Sequence, residues 1–234
     1  MRAVIQLGAK VPRADRPDGF EEDITFSEEL VSLFVEEFTQ PDELVFDPFA
    51  GFGTTLAVAR RMGRRALGVE LLPERVAFIR DRLQNVECVI QGDASQLGHL
   101  NLPTLDFVIT SPPYMNRVNH PQNPLTGYRT RDGSYTHYLA ELGKIFGVIG
   151  DHVRPGGKVV INAANIASNP VTTLAWDIAG EVSKRLRFVR EVVVDWDELP
   201  PSFTGDYFLI FEAPSVADTS PCRPRDLPLL ADLC

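Results

Sequence analysis

The chain has little cysteine, no long apolar segment and a shortage of positive charge, and each of these argues against a class of protein. Its 234 residues include only Cys88, Cys222 and Cys234. An odd number without metal-ligand spacing argues against a disulfide scaffold and a structural zinc site. No apolar run approaches the ~20 residues of a membrane-spanning helix, and residues 1–10 lack the apolar core of a secretory signal. We therefore expect a soluble, cytoplasmic protein.

The net charge of −9 argues against a protein that coats nucleic acid non-specifically. Neutralising phosphates requires clustered lysine and arginine, which an acidic chain cannot supply over its whole surface. An enzyme with one local basic surface remains compatible with this charge. At 44% apolar residues, the chain is long enough to bury one full core.

Short apolar segments alternate with amphipathic segments along most of the chain, which predicts strands alternating with helices. Such alternation indicates crossover connections and a mainly parallel sheet. We expect a doubly wound α/β fold with seven strands, the last two forming an antiparallel pair. The predicted strands are Leu44–Asp47, Ala66–Val69, Val86–Ile90, Leu105–Ile109, Lys158–Asn162, Phe188–Val194 and Tyr207–Phe211. We expect residues 1–24 to be an irregular arm, residues 25–212 the α/β domain and residues 213–234 a loose, proline-rich tail.

Three acidic residues, Asp47, Glu70 and Asp93, follow three successive predicted strands. Ligands of open α/β sheets bind outside the carboxyl ends of the strands, so these carboxylates are predicted to line one crevice. Gly51 and Gly53 lie in the turn after the first of these strands, where they allow a close approach of backbone to ligand. The sequence therefore predicts a ligand site at this edge.

The charge of this edge restricts the ligand. A P-loop is absent because no Gly-Lys-Ser/Thr follows the glycines, and a dinucleotide fingerprint would place glycine where Leu56 stands. Carboxylates would also repel phosphate. An adenosine with a cationic group fits better, with Glu70 on the ribose hydroxyls and Asp93 on the adenine amine, which predicts S-adenosylmethionine as the cofactor.

The segment Thr110-Ser111-Pro112-Pro113-Tyr114 ends the fourth predicted strand, beside the first. Its prolines have no N–H, so we expect their carbonyl oxygens to face the crevice without a local donor. Such acceptors suit an exocyclic amine of cytosine or adenine, held by Ser111 Oγ and the Pro112 carbonyl with its lone pair aimed at the methyl donor. Tyr114 would stack on a base rotated out of its helix. The absence of a cysteine in this segment disfavours a covalent adduct with the base ring.

Three stretches, DPFAGFGTT (47–55), GVE (68–70) and TSPPY (110–114), resemble the N4-cytosine/N6-adenine DNA methyltransferase family. The similarity runs from about Thr25 to Asn165. It implies a Rossmann-like class I S-adenosylmethionine-dependent fold with Ser111, Pro112, Pro113 and Tyr114 as catalytic residues. It also implies cofactor contacts from Thr25, Phe26, Ser27, Asp47, Pro48, Phe49, Ala50, Gly51, Gly53, Thr54, Thr55, Glu70, Asp93 and Ala94.

In that family, serine before Pro-Pro-Tyr is more typical of cytosine N4 enzymes, so the resemblance favours DNA cytosine N4. Adenine N6 is the second choice, and amino groups of RNA remain open because related loops serve RNA methyltransferases. A non-enzymatic alternative is a cofactor-binding subunit of a larger assembly. The chain shows no target-recognition region of the usual length, so a homodimer or a partner would supply recognition, for restriction-modification or for regulation.

The polar stretch 115–134 is a candidate nucleic-acid contact. Arg117, Arg129 and Arg131 stand there against one acid, Asp132, among amide and tyrosine side chains. Arginine, amide and aromatic side chains suit phosphate contacts, base edges and stacking. We expect this stretch to be an irregular loop that faces the substrate.

Overall fold

The computed structural model describes residues 3–8, 27–117, 122–127, 129 and 133–214. The helices are α1 (Glu28–Phe38), α2 (Thr54–Arg61), α3 (Pro73–Leu83), α4 (Tyr135–His152) and α5 (Leu174–Val182), with 3-10 turns at Ala94–His99 and Pro124–Thr126. The strands are β1 (Val4–Leu7), β2 (Leu44–Asp47), β3 (Arg65–Glu70), β4 (Val89–Gln91), β5 (Leu105–Thr110), β6 (Val153–Ile166), β7 (Arg187–Trp196) and β8 (Phe203–Glu212).

The strands form one sheet in the order β1-β7-β8-β6-β5-β2-β3-β4. Of these strands, β8 runs antiparallel to its neighbours, β6 and β7, so the expected mainly parallel α/β sheet with an antiparallel pair near the end of the chain is confirmed. Within the residues that the structure describes, however, the sheet has eight strands, and the expectation of seven is wrong. The additional strand, β1, lies in the expected irregular arm and pairs with β7, with Val4 opposite Val193. Four residues at a sheet edge give too short a pattern to identify from sequence.

Both faces of the sheet are covered by helices. Neighbouring residues of one strand point to opposite faces, so Val45 of β2 packs in the same core cluster as Phe34 of α1, while Phe46 packs in the cluster that contains Phe146 of α4. On the α1 side, the rings of Phe34 and Phe208 stack with centroids 4.5 Å apart. With both faces buried, the loops at the strand ends are left to bind ligands.

Two of the helices that flank the sheet, α1 and α3, begin at start signals that the sequence carries. Ser27 caps α1, since its hydroxyl accepts a hydrogen bond from the Leu30 N–H at 3.2 Å. Helix α3 begins at Pro73, a position that needs no hydrogen-bond donor. Among the described residues, no helix combines the length and apolar character needed to cross a membrane.

The order of the sheet reverses between β2 and β5. From β2 the chain continues outward to β3 and β4, whereas from β5 it continues to β6 on the other side. Loops leaving two neighbouring strands in opposite directions open a crevice at the carboxyl ends of those strands. This crevice is the candidate site.

Candidate active site

A cleft of about 380 Å³ lies at the carboxyl ends of β2, β3 and β5, within the range of small-molecule sites. Most of the predicted residues line it. They are Asp47, Pro48, Phe49, Ala50, Gly51, Thr54, Thr55, Glu70, Ala94, Ser111, Pro112, Pro113 and Tyr114. The structure therefore brings the two predicted halves, one for the cofactor and one for the substrate, to one opening.

Some predicted residues lie elsewhere. Of those that the structure describes, Ser27, Gly53 and Asp93 are not part of this lining. Asp93 accepts a hydrogen bond from the Ser95 N–H at 2.8 Å and so caps the 3-10 turn beside the cleft. Its neighbours Gly92 and Ala94 form the wall there. Thr25, Phe26 and Arg131 fall outside the described residues, so their roles stay predictions, as do those of Ser27, Gly53 and Asp93.

Asp47 is held entirely by the protein. Its side chain is 1% exposed and accepts hydrogen bonds from the Thr55 and Thr110 hydroxyls, both at 2.6 Å, and from the Phe49 N–H at 3.0 Å. Burial raises the pKa of this carboxyl from 3.8 to about 6, although the three hydrogen bonds act in the opposite direction. Because its three donors come from the loop, from α2 and from β5, Asp47 connects the elements that form the site.

Glu70 faces the cleft. One carboxylate oxygen accepts the Gly51 N–H at 2.8 Å and the other accepts the Leu72 N–H at 2.9 Å. Burial raises the pKa of Glu70, and the backbone hydrogen bonds and the charge of Arg75 oppose that rise. Each carboxylate oxygen can accept more than one hydrogen bond, so Glu70 retains capacity for ligand hydroxyls.

The loop between β2 and α2 requires glycine at two places. Gly51 and Gly53 have φ angles of +56° and +75°, in the left-handed region that favours glycine. Gly53 is the N-terminal cap residue of α2, and a Cβ there would lie 3.0 Å from Ile79 Cγ1. These conformations turn the loop back over the strand ends, where Gly51 meets Glu70.

The segment Ser111–Tyr114 continues directly from β5 and is fixed by α4. The Tyr138 hydroxyl donates to the Pro113 carbonyl at 2.9 Å. The sequence predicts no local donor for the proline carbonyls, and the donor that Pro113 has comes from a helix distant in sequence, so its carbonyl is occupied. Ser111 and Pro112 line the cleft beside it.

Tyr114 is packed against strands on the far side of the cleft. Its hydroxyl lies 3.4 Å from Asn162 Oδ1, and its ring meets Phe203 edge-on with centroids 5.9 Å apart. Burial, with a contribution from the charge of Asp206, raises the pKa of Tyr114 above its ordinary value, so the phenol stays neutral. Asn162 is oriented in turn by donating its amide to Asp206 at 2.7 Å.

Several lining residues were not identified from the sequence. They are Phe52, Val69, Leu71, Leu72, Arg75, Gly92, Pro124, Leu125, Gly127 and Asn162. Many flank predicted residues and follow from the same loops. Asn162 has its own signal, an amide directly after the apolar residues 159–161 of a strand, because a buried polar side chain requires a partner or a function.

The polar stretch after Tyr114 is only partly irregular. Pro124–Thr126 forms a 3-10 turn whose Leu125 is buried. Arg117 is exposed, and its guanidinium contacts Asp177 Oδ2 at 2.7 Å and lies over the Tyr135 ring. Arg129 is also exposed.

Comparison with known proteins gives a family model, DNA methylase of the N6/N4 type, that matches residues 11–81. A putative methylase, YubD of Escherichia coli K12, is 41% identical over 61 residues, covering 26% of this chain and 27% of that protein. The type II methyltransferase M.XycI of Xanthomonas campestris pv. cyanopsidis is 42% identical over 60 residues, covering 26% of this chain and 20% of that protein. An uncharacterized RNA methyltransferase of Chlamydia muridarum is 30% identical over 112 residues, covering 44% and 28%. The matched segments thus span about a quarter of these relatives.

Solved structures agree on the fold. TrmN of Thermus thermophilus superposes with a TM-score of 0.59 at 15% identity, covering 80% of this chain and 49% of that one. An S-adenosylmethionine-dependent methyltransferase of Clostridium acetobutylicum gives a TM-score of 0.57 at 10% identity, covering 84% and 95%. These similarities show a class I methyltransferase fold. Over residues 11–81 and the segments shared with the type II methyltransferases, the chain is similar to the N4-cytosine/N6-adenine DNA methyltransferase family, and it has the fold of S-adenosylmethionine-dependent methyltransferases.

Proposed function

We propose that this protein transfers a methyl group from S-adenosylmethionine to the exocyclic amine of a DNA base, with cytosine N4 as the first choice. The observation that carries the proposal is the shared cleft, which Glu70 with Gly51 and Ser111 with Tyr114 line from two sides. The family match and the type II methyltransferase relatives support DNA as the substrate. Serine at position 111 supports cytosine over adenine by family resemblance.

The cleft fits this cofactor chemically. S-adenosylmethionine supplies an electrophilic methyl group on a positively charged sulfur. Glu70 provides buried carboxylate oxygens with remaining acceptor capacity for ribose hydroxyls, and the Gly51 turn keeps side chains away from the ligand. The charged residues of the lining are two carboxylates, Asp47 and Glu70, and one cation, Arg75, and this balance suits a cation better than a phosphate.

Ser111 and Pro112 hold the substrate amine in this proposal. The exocyclic nitrogen of cytosine is a poor nucleophile because its lone pair is delocalised into the ring. Hydrogen bonds from its two N–H groups to Ser111 Oγ and the Pro112 carbonyl favour a pyramidal nitrogen whose lone pair points out of the ring plane. Tyr114, neutral and held on its far side by Asn162, offers a ring for the extruded base. In the transfer, the N–C bond forms as the S–C bond breaks, S-adenosylhomocysteine is left, and one proton of the amine is released to solvent. The chain therefore contributes position and electrostatics rather than covalent chemistry.

The exposed arginines supply the proposed contact with the nucleic-acid backbone. Arg117 lies in the stretch that follows Tyr114, and its ion pair with Asp177 holds it against α5. Together with Arg129 and Arg131, it would give an acidic protein a local basic surface. A second copy of the chain or a partner would supply target recognition.

Methylation of RNA amino groups is the second candidate. It is favoured by the RNA methyltransferase relative of Chlamydia muridarum, whose similarity covers 44% of this chain. Adenine N6 in DNA remains the other alternative within the family.

Nucleoside analysis tests the proposal. The protein is incubated with methyl-labelled S-adenosylmethionine and unmethylated plasmid DNA or total RNA, and the digested nucleosides are identified by mass spectrometry. We expect N4-methyldeoxycytidine. N6-methyldeoxyadenosine or a methylated ribonucleoside would select an alternative, and the absence of label on any base amine would contradict the function.

Ser111→Ala tests the substrate side of the cleft separately from the cofactor side. It should bind the cofactor as the wild type does in calorimetry and lose most of the transfer, because it removes the proposed amine contact together with the Ser111 hydrogen bond to Tyr114. Full transfer by this variant would contradict the assigned role of Ser111. Cofactor binding by the wild type without transfer to any nucleic acid would favour the non-enzymatic subunit.

A further inference from the structure

The two halves of the cleft lie at the carboxyl ends of β2 and β5, where the pairing between these neighbouring strands ends. Ladder pairing between these strands joins Val45 with Phe107 and Phe46 with Val108. Asp47 and Thr110, the last residues of the two strands, lie beyond these pairs. There the Thr110 hydroxyl donates to Asp47 Oδ1 at 2.6 Å and bridges the strands.

Asp47 also holds the cofactor side of the cleft. Its Oδ2 accepts the Thr55 hydroxyl at 2.6 Å, in the first turn of α2, and its Oδ1 accepts the Phe49 N–H of the loop. Asp47, Thr55 and Thr110 are each at most 1% exposed. Water is therefore excluded, and charge-assisted hydrogen bonds in such a setting are short and directional.

Thr110 holds the substrate side. It is fully buried, it pairs with Ile161 of β6, and the next residue is Ser111. The Thr110 side chain thus connects the segment proposed to hold the amine with the carboxylate that organises the cofactor loop. Two buried hydroxyls, one from each side, meet on one carboxylate.

Building on the proposed function, we infer that Thr110 is a positioning residue: its hydroxyl, through Asp47, fixes the separation between the cofactor loop and Ser111. Methyl transfer requires donor carbon, sulfur and amine nitrogen in line at close range. A displacement of about 1 Å can cost about 100-fold in rate even when both ligands remain bound. Loss of this bridge should therefore slow transfer more than it weakens cofactor binding.

The test compares Thr110→Val with Thr110→Ser. Valine matches threonine in shape and tolerates a strand but lacks the hydroxyl, whereas serine restores it. With the cofactor bound in advance, we expect Thr110→Val to lower the single-turnover rate roughly 10- to 100-fold while the cofactor Kd stays within about twofold. Thr110→Ser should recover most of the rate. A circular-dichroism melt checks folding, and Thr110→Ala replaces Thr110→Val if the latter does not fold.

Thr55→Val is the control on the same carboxylate. It removes a hydrogen bond within the cofactor side alone, so it should raise the cofactor Kd more than Thr110→Val does. Three results would overturn the inference: a wild-type rate in Thr110→Val, a loss of rate that Thr110→Ser does not restore, or a loss that appears only as a raised cofactor Kd. None of these affects the proposed function, provided that the wild type is active. A wild type that methylates no nucleic acid would overturn both.

Discussion

Glu70 combines two properties at the residue scale that a cofactor contact needs. It is 6% exposed, so water competes poorly for it, and its two oxygens accept one N–H each from Gly51 and Leu72. Asp47 is 1% exposed, and two of its hydrogen bonds come from the side chains of Thr55 and Thr110. The exposure of Glu70 to the cleft, together with its backbone donors, favours Glu70 as the ligand-binding acid.

Glu70→Gln should weaken binding of S-adenosylmethionine. The glutamine amide has the shape of the carboxylate but only one acceptor oxygen, so its NH₂ group would face the N–H of either Gly51 or Leu72, and two donors would meet. The ribose hydroxyls would also lose hydrogen bonds to a charged acceptor. We expect the Kd from calorimetry to rise about 10- to 100-fold, a loss of about 1.4 to 2.7 kcal/mol. Glu74→Gln, on the exposed first turn of α3, is the control and should bind normally. Equal binding by both variants would contradict the assignment.

The sequence could identify which residues stand at strand ends but not which partners they meet. Asp47, Glu70 and Asp93 look equivalent as acids after strands. The structure separates them because Thr110 comes from a strand 63 residues away and Ser95 takes the Asp93 side chain. Asn162 and Tyr138 join the site for the same reason, through contacts distant in sequence that no local pattern encodes.

The turn between β2 and α2 is a tightly constrained connection at the element scale. It must leave a strand, pass over the ends of β2 and β3, and start α2 within a few residues. Gly53 makes this reversal with φ +75°, and Ile79 of α3 packs directly against it. A side chain at this position would therefore strain the backbone and collide with a core residue.

Gly53→Ala should lower the free energy of unfolding by more than the left-handed conformation alone requires. Gly63→Ala is the matched control, since Gly63 has φ +77° and an added methyl group there would meet nothing within 4 Å. We expect about 1–2 kcal/mol for Gly63→Ala from backbone strain, and a larger loss for Gly53→Ala because Ile79 must move. Urea unfolding of both variants measures the difference. Equal losses would show that the Ile79 contact imposes no cost.

Elements with strong local signals were predicted closely, and elements held by tertiary pairing were not. Helix α3 starts at Pro73, a residue favoured in the first turn of a helix, so its start is readable from the sequence. Strand β4 was expected at Val86–Ile90 but comprises Val89–Gln91, and β6 extends to Val153–Ile166 around the predicted Lys158–Asn162. Their ends are set by neighbours such as β3 and β8, which a single stretch of sequence does not reveal.

The topology of the whole molecule brings the site together. Parallel strands on both sides of the β2–β5 boundary deliver their following loops to one edge, so residues 47–55, Glu70 and residues 111–114 converge although they span 68 positions from 47 to 114. This convergence follows from α/β alternation and was predictable. The eighth strand was not, since β1 joins the far edge of the sheet, on β7.

The central claim is that this one cleft places the cofactor between Glu70 and Ser111. A crystal structure of the protein with S-adenosylhomocysteine, the demethylated product, tests it most directly. The account predicts ribose hydroxyls on the Glu70 carboxylate, the Gly51 turn against the ligand and the sulfur directed toward Ser111. A ligand bound in any other part of the molecule, or one bound in this cleft with its sulfur turned away from Ser111, would contradict the account.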